Sequence, residues 1–125
     1  MKKISELYRT GDFKGEKHVP VINAPDKVKK GDVIELNVNI GQEIPHPNTL
    51  EHHIKWIKVY YLPKDGNFPA EIGNYEFTSH GEFGLVSEPY VTVKFKIEKC
   101  GTIIATSYCN IHGLWESSKE ITVEE

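Results

Sequence analysis

A two-residue alternation of apolar and polar side chains is the feature that most constrains how this chain folds. Ile34, Leu36, Val38 and Ile40 are interleaved with Glu35, Asn37 and Asn39, and Val91, Val93, Phe95 and Ile97 with Thr92, Lys94 and Lys96. Successive side chains of an extended chain point to opposite faces, so each run makes a strand with one dry and one wet face. Beyond one helical turn at Ile4–Arg9, no sustained apolar period of 3.6 residues competes with this pattern. Lys99-Cys100-Gly101 reads as the turn of a hairpin that returns through Thr102–Tyr108. Further strands are expected at His18–Asn23, Ile54–Leu62, Ile72–Phe77 and Lys119–Val123, separated by Pro, Gly and Asp. Short strands with turns about every ten residues favour an all-β fold, an immunoglobulin-like antiparallel β-sandwich.

At 125 residues the chain has the length of a single domain, 1–125, large enough to bury a core without disulfide staples. A net charge of −3 and a pI near 6.1 argue against nucleic acid as a partner, since a phosphate backbone calls for a strongly basic face. After Met1-Lys2-Lys3 the run Ile4-Ser5-Glu6-Leu7-Tyr8-Arg9 breaks any signal-peptide core, and no stretch approaches the ~20 apolar residues of a membrane span. A cytoplasmic location follows as the expectation. With two cysteines a disulfide is conceivable, but Cys109 is followed at the third position by His112, a spacing that suits a metal in a reducing compartment.

Six histidines are more than a bland surface requires. Pro45 and Pro47 flank His46, and each proline fixes φ and restricts the residue before it, so this imidazole is braced before it meets a ligand. Cys109-Asn110-Ile111-His112-Gly113 follows a strand end, where a turn brings a thiolate and an imidazole to one ion and Gly113 is free to take a positive φ. His18 sits at a strand start, where a site built on loops would recruit it. Alone, the Cys-x-x-His pair also fits half a zinc site or part of a copper site.

Three blocks extend this reading. Gly15-Glu16-Lys17-His18-Val19-Pro20-Val21-Ile22, Glu43-Ile44-Pro45-His46-Pro47-Asn48-Thr49 through Glu51-His52-His53-Ile54, and Ser107-Tyr108-Cys109-Asn110-Ile111-His112-Gly113-Leu114-Trp115-Glu116 resemble those of the superoxide reductases of the one-iron, neelaredoxin class, related to the C-terminal domain of desulfoferrodoxin. The resemblance implies an immunoglobulin-like sandwich with one mononuclear non-haem iron (Fe2+/Fe3+) in its loops. It implies His18, His46, His52 and His112 as equatorial ligands, Cys109 as the axial one, Glu16 as a sixth ligand to oxidised iron and Lys17 beside the open position. It further implies superoxide as substrate, hydrogen peroxide as product, rubredoxin or a similar small carrier as electron donor, and a homotetramer. The two cysteines leave none for the extra four-cysteine iron domain of the two-iron relatives. Gly81–Pro89 is shorter than the family's loop, which places any rim or subunit contact there in question.

The chemistry agrees with that implication. Neutral imidazoles leave the ion's charge in place and one thiolate removes a unit, so the ferrous site is about +1 and attracts an anion. Lys17 adds to that pull. Five nitrogen and sulfur donors exceed a tetrahedral zinc set, and zinc has no redox change to pass on an electron.

Other residues take plainer readings. His52 and His53 are neighbours on an extended chain and point to opposite sides, so only one is a ligand; His80 and Cys100 match no ligand position. Trp56, Trp115, Tyr60 and Tyr61 are expected in the core, with Trp115 packing over the site. A cupredoxin-like electron carrier is the main alternative, weakened because the only methionine is Met1; an immunoglobulin-like interaction module with a structural metal ranks last.

Overall fold

The computed structural model describes all residues, 1–125, as two β-sheets whose apolar faces meet in one core. The strands are β1 (Val21–Asn23), β2 (Lys27–Lys29), β3 (Ile34–Asn39), β4 (Ile54–Pro63), β5 (Ala70–Glu76), β6 (Tyr90–Phe95), β7 (Gly101–Cys109) and β8 (Gly113–Glu124). One sheet has the order β1-β3-β6 and the other β2-β8-β7-β4-β5. Every pairing is antiparallel except β2 with β8, which is parallel because the chain crosses from β1 to the far edge of the larger sheet. The immunoglobulin-like sandwich is therefore present, with one parallel edge that the alternation did not reveal.

The dry faces are those the alternation marks. Ile34, Leu36 and Val38 of β3 meet Ile57 and Val59 of β4, Ile103 and Ala105 of β7 and Ile121 of β8, all buried, with Val91, Val93 and Phe95 of β6 packed against them. Burying each such branched side chain contributes roughly 1.5–3 kcal/mol. In β7 the inward residues Ile103, Ala105 and Ser107 are followed on the same face by Cys109, so strand periodicity alone sinks that thiol to 0% exposure. In β4 a register shift between Ile54 and Trp56 inserts Lys55 as a bulge, letting both Ile54 and Ile57 face inward beside the loop ends.

Four expectations need correction. The runs 91–97 and 102–108 are not a hairpin: β6 pairs with β3, whereas β7 pairs with β4 and β8. Lys99-Cys100-Gly101 lacks the Asn-Gly or Asp-Gly pair that forces a tight hairpin, and the apolar faces of β6 and β7 are satisfied from opposite sides of the core. Ile97 is buried at the crossover, and Lys64 N–H donates to Cys100 C=O (2.9 Å), tying the arch to the end of β4. β8 begins at Gly113 rather than Lys119, and β1 begins at Val21, with His18–Pro20 as bends before it. Trp56 and Tyr60 lie half-buried on the outer face of the larger sheet, where Lys58 Nζ sits 4.4 Å from the Trp56 ring; Trp115 and Tyr61 pack inward as expected. The N-terminal helical turn is a single 3-10 turn at Ile4–Glu6.

Candidate metal centre

Three connections bring the chemistry to one end of the sandwich: the bends before β1, the loop between β3 and β4, and the turn between β7 and β8. Gly41 opens the second at φ +92°, and a Cβ there would lie 2.8 Å from the backbone nitrogen of His46, so only glycine lets the chain fold back on the proline-braced segment. Gly113 closes the third at φ +80°, as its motif anticipates. An amide ladder in which Asn23 and Asn39 both donate to Asn37 and Gln42 fixes the root of the second loop to β1 and β3.

The imidazoles of His18, His46, His52 and His112 form a closed four-membered array. Adjacent centroids are 4.9 Å (18–46), 4.8 Å (46–52), 5.0 Å (52–112) and 4.6 Å (112–18) apart, and the 18–52 diagonal is 6.4 Å. Cys109 Sγ lies 3.5 Å from His46 Nε2 and 3.9 Å from His112 Nδ1, and accepts the His112 backbone N–H at 3.4 Å. Donor atoms of His18, His46, His52 and Cys109 all lie within 4.8 Å of one another. His112 stands outside that set of four, yet its Nδ1 is 3.0 Å from His18 Nε2.

Hydrogen bonds on the far side of two rings decide which nitrogen faces inward. His18 Nδ1 donates to Glu16 Oε1 (2.7 Å), and His46 Nδ1 donates to the Pro47 carbonyl (2.6 Å), so the Nε2 lone pairs of both are turned toward the array. Burial is the main cause that pushes the His46 pKa down to about 4, with His18, His52 and Lys17 adding to it against the Pro47 bond. Burial also lowers His52, followed by the fields of His112, His18 and Lys17. Both shifts favour the neutral imidazole, the form a metal requires. Partial burial raises Glu16, but the His18 backbone and ring donors and Lys17 N–H outweigh it and hold the carboxyl below its ordinary range.

These residues fit a single iron. His52 Nε2 is buried with no hydrogen-bond partner, and a buried acceptor left unpaired is costly unless something binds it. Four ring nitrogens and one buried sulfur offer more donors than a tetrahedral zinc set or the trigonal His2Cys set of blue copper, and the only methionine, Met1, is fully exposed at the terminus. The cupredoxin reading finds no support.

The remaining candidates fall as follows. Glu16 is not directed into the array; its Oε1 accepts both the backbone N–H (2.6 Å) and Nδ1 of His18. Lys17 is half-buried, and its field reaches the His46 and His52 rings. Both His53 and His80 are 7% exposed, and their rings stack at 3.5 Å with 11° between planes, the first bonded to Thr49 C=O and the second to Phe77 C=O. Trp115 lies flat against His18 at 4.9 Å and 13°, walling one side of the array. Cys100 is a free thiol bonded to the backbone of Val123, far along β7 from Cys109. Within Gly81–Pro89 a 3-10 turn spans Glu82–Gly84. Sequence reasoning passed over Asn110, whose side chain joins two of the site's loops; its place between Cys109 and His112 was the available signal.

Residues 10–118 match the family model described as desulfoferrodoxin. A Thermotoga maritima protein is 57% identical over 98% of this chain and 99% of its own length. The superoxide reductase of Pyrococcus furiosus is 48% identical over 97% of this chain and 99% of its own. The solved structure of the superoxide reductase (neelaredoxin) from Archaeoglobus fulgidus in the reduced form superposes with a TM-score of 0.85 at 44% identity, covering 93% of this chain and 98% of that one. With the family model matched across residues 10–118 and with sequence and fold alike over almost the whole length of these relatives, the chain belongs to the desulfoferrodoxin family.

Proposed function

We propose that this chain is a superoxide reductase that adds one electron and two protons to superoxide, giving hydrogen peroxide, at a mononuclear iron held by His18, His46, His52, His112 and Cys109. The observation that carries the proposal is the closed array of four imidazoles with one buried cysteine beside it. Bound there, iron supplies the one-electron couple that zinc lacks.

The side chains do the rest. The Glu16 carboxylate and the Pro47 carbonyl orient His18 and His46, and the Trp115 face limits the tilt of His18. The His112 N–H donates to Cys109 Sγ and spreads the thiolate's charge. Lys17 supplies a positive field at the open face and steers a small anion toward it despite a net charge of −3. Glu16 is also our candidate for a sixth ligand to oxidised iron, a role that requires its carboxylate to leave His18.

An outside donor must return the electron after each turnover, and we assign this to rubredoxin or a similar small carrier. We also read 1–125 as a single domain, assembled as a homotetramer and placed in the cytoplasm. Two unpaired cysteines suit a reducing compartment, and no helix is long and apolar enough to cross a membrane.

The test combines metal analysis with pulsed superoxide. One iron per chain, loss of superoxide without release of dioxygen and a matching yield of peroxide are expected. Dioxygen and peroxide in equal amounts would mean dismutation, and an iron-loaded chain that consumes no superoxide, or a chain that binds no iron, would end the proposal.

A further inference from the structure

His52 reaches the array from a loop, Cys109 and His112 from a hairpin turn, and something must fix the distance between the two. The last registered pair of β4 and β7 is Ile54 with Cys109. Past it, Asn110 N–H donates to His53 C=O at 3.2 Å, and then the Asn110 side chain takes over. Its Oδ1 accepts His53 N–H at 2.8 Å and its Nδ2 donates to Glu51 C=O at 3.0 Å. The backbone groups on both sides of His52 are thus bound to the residue that follows Cys109.

The only other hydrogen bonds on the His52 backbone are local. Thr49 N–H and the Thr49 hydroxyl both donate to His52 C=O, at 2.9 and 3.4 Å, and His52 N–H donates to Thr49 Oγ1 at 3.1 Å. They shape the loop without tying it to the hairpin. A primary amide is the side chain that offers one acceptor and one donor at this reach: Asp keeps the acceptor and loses the donor, and Ala loses both.

Resting on the iron reading above, we propose that Asn110 is a positioning residue that clamps the His52 loop to the Cys109–His112 turn and so sets how tightly the centre holds its metal. It touches neither iron nor substrate. With Asn110 shortened, the backbone bond from Asn110 N–H to His53 C=O and the Asn48 bond to Ser87 C=O remain, but both side-chain ties that bracket His52 are lost, and the segment then leans on its own turn and on the stack of His53 on His80. The imidazole then samples positions off the array, and iron escapes more readily.

The test is the release of ferrous iron from the loaded protein to an excess of chelator, with urea unfolding of the metal-free protein as the control on folding. Asn110→Ala is expected to release iron about 10–100-fold faster than the parent, and Asn110→Asp to fall between them. His52→Ala raises the rate by itself, and adding Asn110→Ala to it should raise it no further, because the clamp acts through His52. A residue serving only the fold would instead give multiplicative losses. Parental release in Asn110→Ala, or multiplicative rates in the double variant, overturns the proposal. If Asn110→Ala does not fold, the isosteric Asn110→Asp decides: parental release there overturns it as well. A parent that binds no iron refutes the iron reading itself, which is a separate outcome.

Discussion

His18 Nε2 and His112 Nδ1 face each other at 3.0 Å, although the two residues are 94 apart in the chain. Glu16 occupies Nδ1 of His18, which leaves the lone pair of that ring directed at its partner. The tautomer of one proposed ligand is therefore set by a carboxylate two residues away.

Glu16→Ala should then weaken the centre in two ways. With the acceptor gone from His18, iron release to a chelator accelerates about 10–100-fold, as for other residues that orient a ligand. The visible spectrum of the oxidised protein shifts too, because the carboxylate proposed for the sixth position is missing. Unchanged release together with an unchanged oxidised spectrum would deny Glu16 both roles.

Cys109→Ser should abolish the thiolate-to-iron absorption and most superoxide reduction, whereas Cys100→Ser leaves both at the parental level. Cys109 is fully buried among His46 and His112, while Cys100 bonds only to the Val123 backbone. Equal losses in the two variants would contradict the assignment.

Lys17→Ala should slow the second-order reaction of reduced protein with superoxide and flatten its dependence on ionic strength, with iron content unchanged. A cation near the open face raises the local concentration of an anion, and added salt screens that attraction. Stopped-flow or pulse measurements at two salt concentrations read the effect, and a parental rate and slope in the variant would remove the steering role.

The metal-free protein should lose stability as pH falls through the window from about 6.5 to about 4. His46 has its pKa pushed down to about 4 in the fold, chiefly by burial, and His52 is lowered in the same direction. An unfolded chain takes up protons near the ordinary value of about 6.5, so across that window it binds more protons than the folded one and is favoured as pH drops. Urea midpoints of the metal-free protein should fall over this range and level off below it. His46→Gln should flatten the slope; an identical slope in parent and variant would assign the effect elsewhere.

The strands of the core and the identities of the chemical residues were determined by the sequence itself. Ile34–Ile40 and Val91–Ile97 alternate because each strand has one face in the core, and that local signal survives without knowledge of partners. The prolines around His46 and the three-residue step from Cys109 to His112 likewise state their chemistry within a few positions. Tertiary structure decided which strands become neighbours and which polar atoms meet. The same alternation suits β6 as a hairpin partner of β7 or as a strand facing it, and only packing of both sheets around Ile97 selected the second arrangement. The choice of His52 over His53 shows the same division. The peptide tells only that they diverge, whereas the stack of His53 on His80 and the clamp from Asn110 turn His52 inward. These contacts join residues tens of positions apart, and their energies depend on distances that local sequence does not encode.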